Sequence, residues 1–121
     1  MIIRPNYIEA IKPFIDKPLV KILSGIRRCG KSTIFELLKD ELIASGIAAD
    51  HIIHKSYTEM DIPENTTAKE MYDELLSAIE GKGRCYLLLD EIQEIKGWER
   101  AINSLLEHTD TDIYVTGSNL S

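Results

Sequence analysis

Long apolar runs are missing from this chain. No stretch approaches the ~20 consecutive apolar residues that a membrane-spanning helix needs. The N-terminus, Met1-Ile2-Ile3-Arg4-Pro5, lacks the apolar core of a signal peptide. The expectation is therefore a cytoplasmic protein with no membrane partner. Positive charge is also short: 14 Lys and Arg stand against 20 Asp and Glu, for a net charge of −6. That balance excludes a general basic surface, so a nucleic-acid partner is not indicated. Cysteine is scarce, and neither Cys29 nor Cys85 sits in a C-x-x-C pair, which excludes a disulfide framework. Of the three histidines, His51 and His54 are three apart on an expected strand and point to opposite faces. His108 ends an expected helix. No metal site built from histidine and cysteine follows from this pattern.

What the chain does have suffices for one modest domain with its own core: 121 residues, 44% hydrophobic and 28% charged. It is organised around Gly25-Ile26-Arg27-Arg28-Cys29-Gly30-Lys31-Ser32, which reads G-x-x-x-x-G-K-S, the pattern of a phosphate-binding loop. An apolar run, Leu19 to Leu23, precedes it, and an amphipathic helical pattern, Ser32 to Ser45, follows it. This strand–loop–helix setting is what gives the motif meaning. Gly25 and Gly30 allow a sharp turn and a close backbone approach to a ligand. The loop amides would then form an anion nest, reinforced by the positive end of the helix dipole. Lys31 would reach the β- and γ-phosphates, and the Ser32 hydroxyl would ligate a nucleotide's magnesium ion. Arg27 and Arg28 read equally as braces on phosphate oxygens and as solvated loop charges. Cys29 reads as a small filler.

The remaining chain alternates in period. Asn6 with Glu9 suggests a capped short helix that Pro13 ends or kinks. Leu19–Ser24 reads as a strand buried on both faces. The helix after the loop turns Ile34, Leu37, Leu38 and Leu42 inward, with Gly46 as its C-cap. His51–Thr58 is a second strand, followed by the polar connection Glu59–Asn65. Thr67 and Glu70 make a capping box ahead of a helix carrying Met71, Tyr72, Leu75, Leu76 and Ile79. Cys85–Leu89 is a third strand. A helix from Trp98 groups Trp98, Ala101, Ile102, Leu105 and Leu106, with Trp98 read as core. Asp112–Thr116 is the last strand. Alternating strands and helices predict an α/β fold: a three-layer phosphate-loop core around a mainly parallel sheet with right-handed crossovers. Ligands in such sheets gather at the carboxyl ends of the strands. The phosphate loop, Asp90-Glu91 and Gly117-Ser118-Asn119 all fall there.

Asp90 closes a buried apolar strand, the Walker B pattern, and is expected to help hold Mg²⁺ near Ser32. Glu91 beside it suits a general base that polarises the attacking water. The pair points to hydrolysis rather than transfer to an acceptor, which disfavours a small-molecule kinase. Thr116, Ser118 and Asn119 are candidates for sensing the γ-phosphate or the attacking water. Gln93 could position water or report the γ-phosphate state.

Three segments taken together, Gly-Ile-Arg-Arg-Cys-Gly-Lys-Ser-Thr, Leu-Leu-Leu-Asp-Glu-Ile-Gln with Trp98-Glu99 after it, and Tyr-Val-Thr-Gly-Ser-Asn, resemble the prokaryotic AAA-type ATPases. The resemblance covers nearly the whole chain, with the motifs in the family's order. It implies an AAA-like core with the sensor strand inserted between the phosphate-loop strand and the Walker B strand. It implies ATP and Mg²⁺ as ligands. Lys31 with Ser32 or Thr33 would act as Walker A residues, Asp90 and Glu91 as Walker B residues, and Ser118 or Asn119 as the sensor. Family members are longer, so residues 1–121 are expected to be the N-terminal part of one ATPase domain. On that reading residues 1–18 lead into the first strand, and the lid and C-terminal domain are absent. The first strand is then an exposed edge that invites pairing with another chain, and the resemblance separately implies a homo-oligomer through AAA-type contacts. The expected function is Mg-dependent ATP hydrolysis that drives a conformational change in a larger protein. The alternative is a nucleotide-binding switch with negligible turnover.

Overall fold

A computed structural model describes residues 9–23, 31–58, 63 and 65–117, with only the backbone described for residues 31–33. Four strands form one parallel sheet: β1 (Lys21–Leu23), β2 (Ile52–Ser56), β3 (Cys85–Asp90) and β4 (Thr111–Thr116). Their spatial order is β1-β4-β3-β2. The last strand in sequence thus lies between the first and the third, as the family resemblance implied. Three helices connect them: α1 (Lys31–Ala44), α2 (Ala68–Ile79) and α3 (Trp98–His108).

β3 and β4 are the inner strands of this sheet, and every residue in both is buried. Alternation sorts their side chains to two faces. Cys85, Leu87, Leu89, Ile113 and Val115 pack with Met71, Leu75 and Ile79 of α2 and Ala101, Ile102 and Leu105 of α3. Tyr86, Leu88 and Tyr114 pack on the other face with Ile34, Phe35, Leu38 and Leu42 of α1. The result is an α/β fold in three layers, with a core on each face of the sheet. Ile34, Leu38 and Leu42 are buried as their spacing predicts, while Leu37 is only half-buried. Phe35 is fully buried in this core and meets the His54 ring in a T-shaped arrangement with centroids 5.4 Å apart.

Local signals set the helix ends. Ile47 N–H donates to Leu42 O at 3.1 Å and Gly46 N–H to Ile43 O at 2.9 Å, which ends α1 in a Schellman motif. Gly46 has φ of +104°, a conformation that glycine adopts without a Cβ clash. The Thr67–Glu70 capping box is present, with Glu70 N–H to Thr67 Oγ1 at 3.1 Å and Thr67 N–H to Glu70 Oε1 at 2.8 Å. Pro13 lies in a 3-10 turn, Lys12–Phe14, that ends the preceding helical turn.

β1 departs from the sequence expectation. It is short within the described residues, and it is not buried on both faces: Lys21 is buried, whereas Ile22 is 42% exposed. Among the described residues, Ile22 stands outside the core that α2 and α3 build on the sheet. Two further boundaries shift. His51 belongs to a 3-10 turn, Ala49–His51, that precedes β2, and β4 starts at Thr111.

Candidate functional site at the carboxyl edge of the sheet

Register places the strand ends in a row. Leu23 lies opposite Thr116, Val115 opposite Leu89, and Asp90 opposite Ser56. Leu23, Thr116, Asp90 and Ser56 therefore line the carboxyl edge in that order. β1 ends within the described residues at Leu23, beside Thr116.

α1 runs back across the sheet from the same edge. Its last turn reaches the pre-strand segment, with Lys12 Nζ 3.7 Å from Glu41 Oε2. Residues 45–51 then lead directly to the start of β2. Phe35, one turn into α1, meets His54 at the middle of β2. The backbone at the start of α1, Lys31 and Ser32, thus lies toward the carboxyl edge, where a helix N-terminus favours an anion.

Asp90 is 5% exposed. By alternation it shares the α1 face with Tyr86 and Leu88, and Thr116 shares that face with Tyr114. The two side chains meet, and the Thr116 hydroxyl donates to Asp90 Oδ1. The backbone N–H of Glu91 donates to Thr116 Oγ1 at 3.3 Å. Glu91 itself is left-handed, with φ 57° and ψ 47°. A glutamate there is strained by about 1 kcal/mol, and such strain concentrates where surrounding structure enforces it. Here the enforcing contacts are the Thr116 hydroxyl below and the 3-10 turn Ile92–Glu94 above, closed by Glu94 N–H to Glu91 O at 3.2 Å. The turn buries Ile92 and Ile95 completely, which fixes the backbone that carries Glu91. The Glu91 side chain stays at the half-buried rim, where Oε1 accepts from Gln93 Nε2 at 2.8 Å. Gln93 Nε2 also reaches Glu94 Oε2 at 3.3 Å.

β2 completes the edge. Tyr57 N–H donates to Asp90 O at 2.9 Å, locking the acid strand to its neighbour. The Tyr57 hydroxyl is buried and has no partner among the described residues. Burial first, and then the nearby Glu74 carboxylate, raises its pKa, so it stays protonated.

The structure thus brings Asp90, Glu91, Thr116 and Gln93 together and turns the start of α1 toward the same edge. The remaining expected site residues, Gly25, Arg27, Arg28, Cys29, Gly30, Ser118 and Asn119, lie outside the described residues, as do the side chains of Lys31, Ser32 and Thr33. A hard dication takes oxygen ligands. A buried carboxylate fixed by a hydroxyl, on the face that α1 covers, has the donor chemistry such an ion requires. Among the described residues no cluster of three or more histidine, cysteine or acidic side chains forms a self-contained metal site. No described helix is long and apolar enough to cross a membrane.

Sequence reasoning missed a second polar cluster at the opposite, amino edge. Lys21 and the fully buried Asp112 form an ion pair, and Asp112 Oδ2 also accepts from Tyr114 OH at 2.6 Å and Asp16 N–H at 2.9 Å. Asp16 in turn accepts from Tyr86 OH at 2.8 Å and Arg84 Nε at 2.9 Å. The signal was there, since Lys21 and Asp112 are the only charged side chains in β1 and β4. Their pairing depends on β1 and β4 being neighbours, which no local pattern reveals.

A sequence model of a family described as "AAA domain" matches residues 17–121. An uncharacterized protein of Haemophilus influenzae is 33% identical over 122 residues, a match covering 98% of this chain and 30% of that protein. The chain therefore spans under a third of the length of that relative.

Proposed function

The chain belongs to the AAA domain family, a nucleotide-binding and ATPase-like class, and from that membership we propose that it binds ATP with Mg²⁺ and hydrolyses it. The observation that carries this reading is the meeting of Asp90, Glu91 and Thr116 at the carboxyl edge onto which α1 opens. In this proposal the backbone from Gly25 to Gly30 cradles the phosphates, and Lys31 neutralises their β and γ oxygens. Arg27 and Arg28 add positive charge beside them. The hydroxyl of Ser32 or Thr33 and the Asp90 carboxylate hold Mg²⁺, which would screen the phosphate charge. Glu91 takes the proton of the attacking water, and Ser118 or Asn119 senses the γ-phosphate. Hydrolysis would drive a conformational change in a larger cytoplasmic protein that assembles through AAA-type contacts.

A second reading is a switch that binds nucleotide with negligible turnover. The Gln93 amide on Glu91 Oε1 favours it, because a hydrogen bond to the charged form weakens a base. Phosphate release by the full-length protein separates the two. Hydrolysis predicts measurable turnover that Glu91→Gln reduces about a hundredfold or more while ATP stays bound. Bound Mg-ATP with no phosphate release supports the switch. A Glu91→Gln variant that turns over normally removes Glu91 from the role of base.

A further inference from the structure

Thr116 was one of three candidate sensors, and its hydrogen bonds give it a different task. A threonine hydroxyl has one proton and two acceptor lone pairs. Here the proton goes to Asp90 Oδ1, since a carboxylate only accepts, and a lone pair receives Glu91 N–H at 3.3 Å. With its proton committed, Thr116 has none to donate to a phosphate or to the oxygen of a water. It is fully buried at the end of β4, between the ends of β1 and β3.

We propose that Thr116 is a positioning residue that couples the two acids: one hydroxyl sets the rotation of the Asp90 carboxylate and holds the left-handed peptide at Glu91. This rests on the reading of Asp90 as a magnesium ligand and Glu91 as the base. Rotation of the Asp90 carboxylate breaks the bond to Thr116, and a turn of the Asp90–Glu91 peptide plane, which leads into the left-handed residue, withdraws the Glu91 N–H from the same oxygen. Either movement loosens the contact that restrains the other. The hydroxyl sits at the junction of three strand ends, so a shift of β1 or β4 would reach both acids at once.

The test compares Thr116→Val, which keeps shape and loses the hydroxyl, with Thr116→Ser, which keeps the hydroxyl. Amide exchange is read at Glu91 without nucleotide, fluorescent ATP-analogue binding is measured in EDTA, and phosphate release is titrated with Mg²⁺, all in the full-length protein. Thr116→Val should speed Glu91 amide exchange and raise the Mg²⁺ concentration for half-maximal rate about tenfold, as expected for loss of a hydrogen bond to a charged group. Binding in EDTA should stay within about twofold of the wild type, and Thr116→Ser should restore all three readouts. Unchanged Glu91 exchange and magnesium dependence in Thr116→Val would overturn the proposal. So would an equal loss of binding in EDTA, which would make Thr116 a phosphate contact, and so would failure of serine to rescue. Should valine prevent folding, the serine variant decides alone: wild-type exchange and magnesium dependence support the proposal, and altered values overturn it. A wild-type protein that binds Mg-ATP without turnover contradicts hydrolysis only, and magnesium-dependent binding then replaces phosphate release as the readout for Thr116.

Discussion

Asp112 is surrounded by donors: Lys21, Tyr114 and the backbone N–H of Asp16 all converge on its carboxylate. Lys21 Nζ also donates to Lys17 O at 2.8 Å and lies 4.9 Å from the centre of the Tyr114 ring. Both charges are almost completely buried, so each is stable only with the other present. Lys21→Met alone should lower unfolding stability by about 3–5 kcal/mol in denaturant titration, because it strands the Asp112 charge. The double variant Lys21→Met with Asp112→Leu should recover a large part of that loss; no recovery would mean that the pair is not coupled. Asp16 adds a pH dependence. Partial burial pushes its carboxyl up, but hydrogen bonds from Tyr86 and Arg84 outweigh it and hold the pKa below the ordinary 3.8. Its stabilisation is therefore complete above that value and is lost as pH falls through the lower folded value. Asp16→Asn should flatten the acid limb of the stability curve and leave its slope near neutral pH unchanged.

Elements were legible where a signal is local. The Thr67–Glu70 box, the glycine after α1 and the apolar stripe of α3 each report on a few neighbouring residues, and each is where the sequence places it. Thr67→Ala should lower stability by about 1 kcal/mol in the same titration, by removing the acceptor for Glu70 N–H. An unchanged midpoint would show that the start of α2 is held by packing alone. β1 was misread for a reason that acts at longer range. Leu19 to Leu23 looks like a strand buried on both faces, but burial depends on which layers cover it, and among the described residues Ile22 stands outside the core that α2 and α3 build. The left-handed turn at Glu91 was equally hidden. Nothing in Asp-Glu-Ile-Gln announces φ > 0, and the turn is set by Thr116, 25 residues on, and by the burial of Ile92 and Ile95.

At the scale of the molecule, parallel strands put all their carboxyl ends at one edge, and alternation decides what faces the ligand there. The alternation of strands and helices fixed the class of fold, but only the strand order β1-β4-β3-β2 brings Thr116 between Leu23 and Asp90. The same order brings Asp112 against Lys21 at the amino edge. The amino-edge cluster therefore joins β1 to β4 and the carboxyl-edge cluster joins β4 to β3, with apolar packing between them. The central claim is that the carboxyl edge binds a nucleotide through its phosphates at the start of α1. Calorimetric titration of the full-length protein with ATP, with and without Mg²⁺, beside a Lys31→Ala variant tests it most directly. One site per chain is expected, strengthened by Mg²⁺ and weakened about tenfold or more in Lys31→Ala, as loss of a charge-assisted phosphate contact requires. Absence of ATP binding by the wild type, or equal affinity in Lys31→Ala, would contradict it.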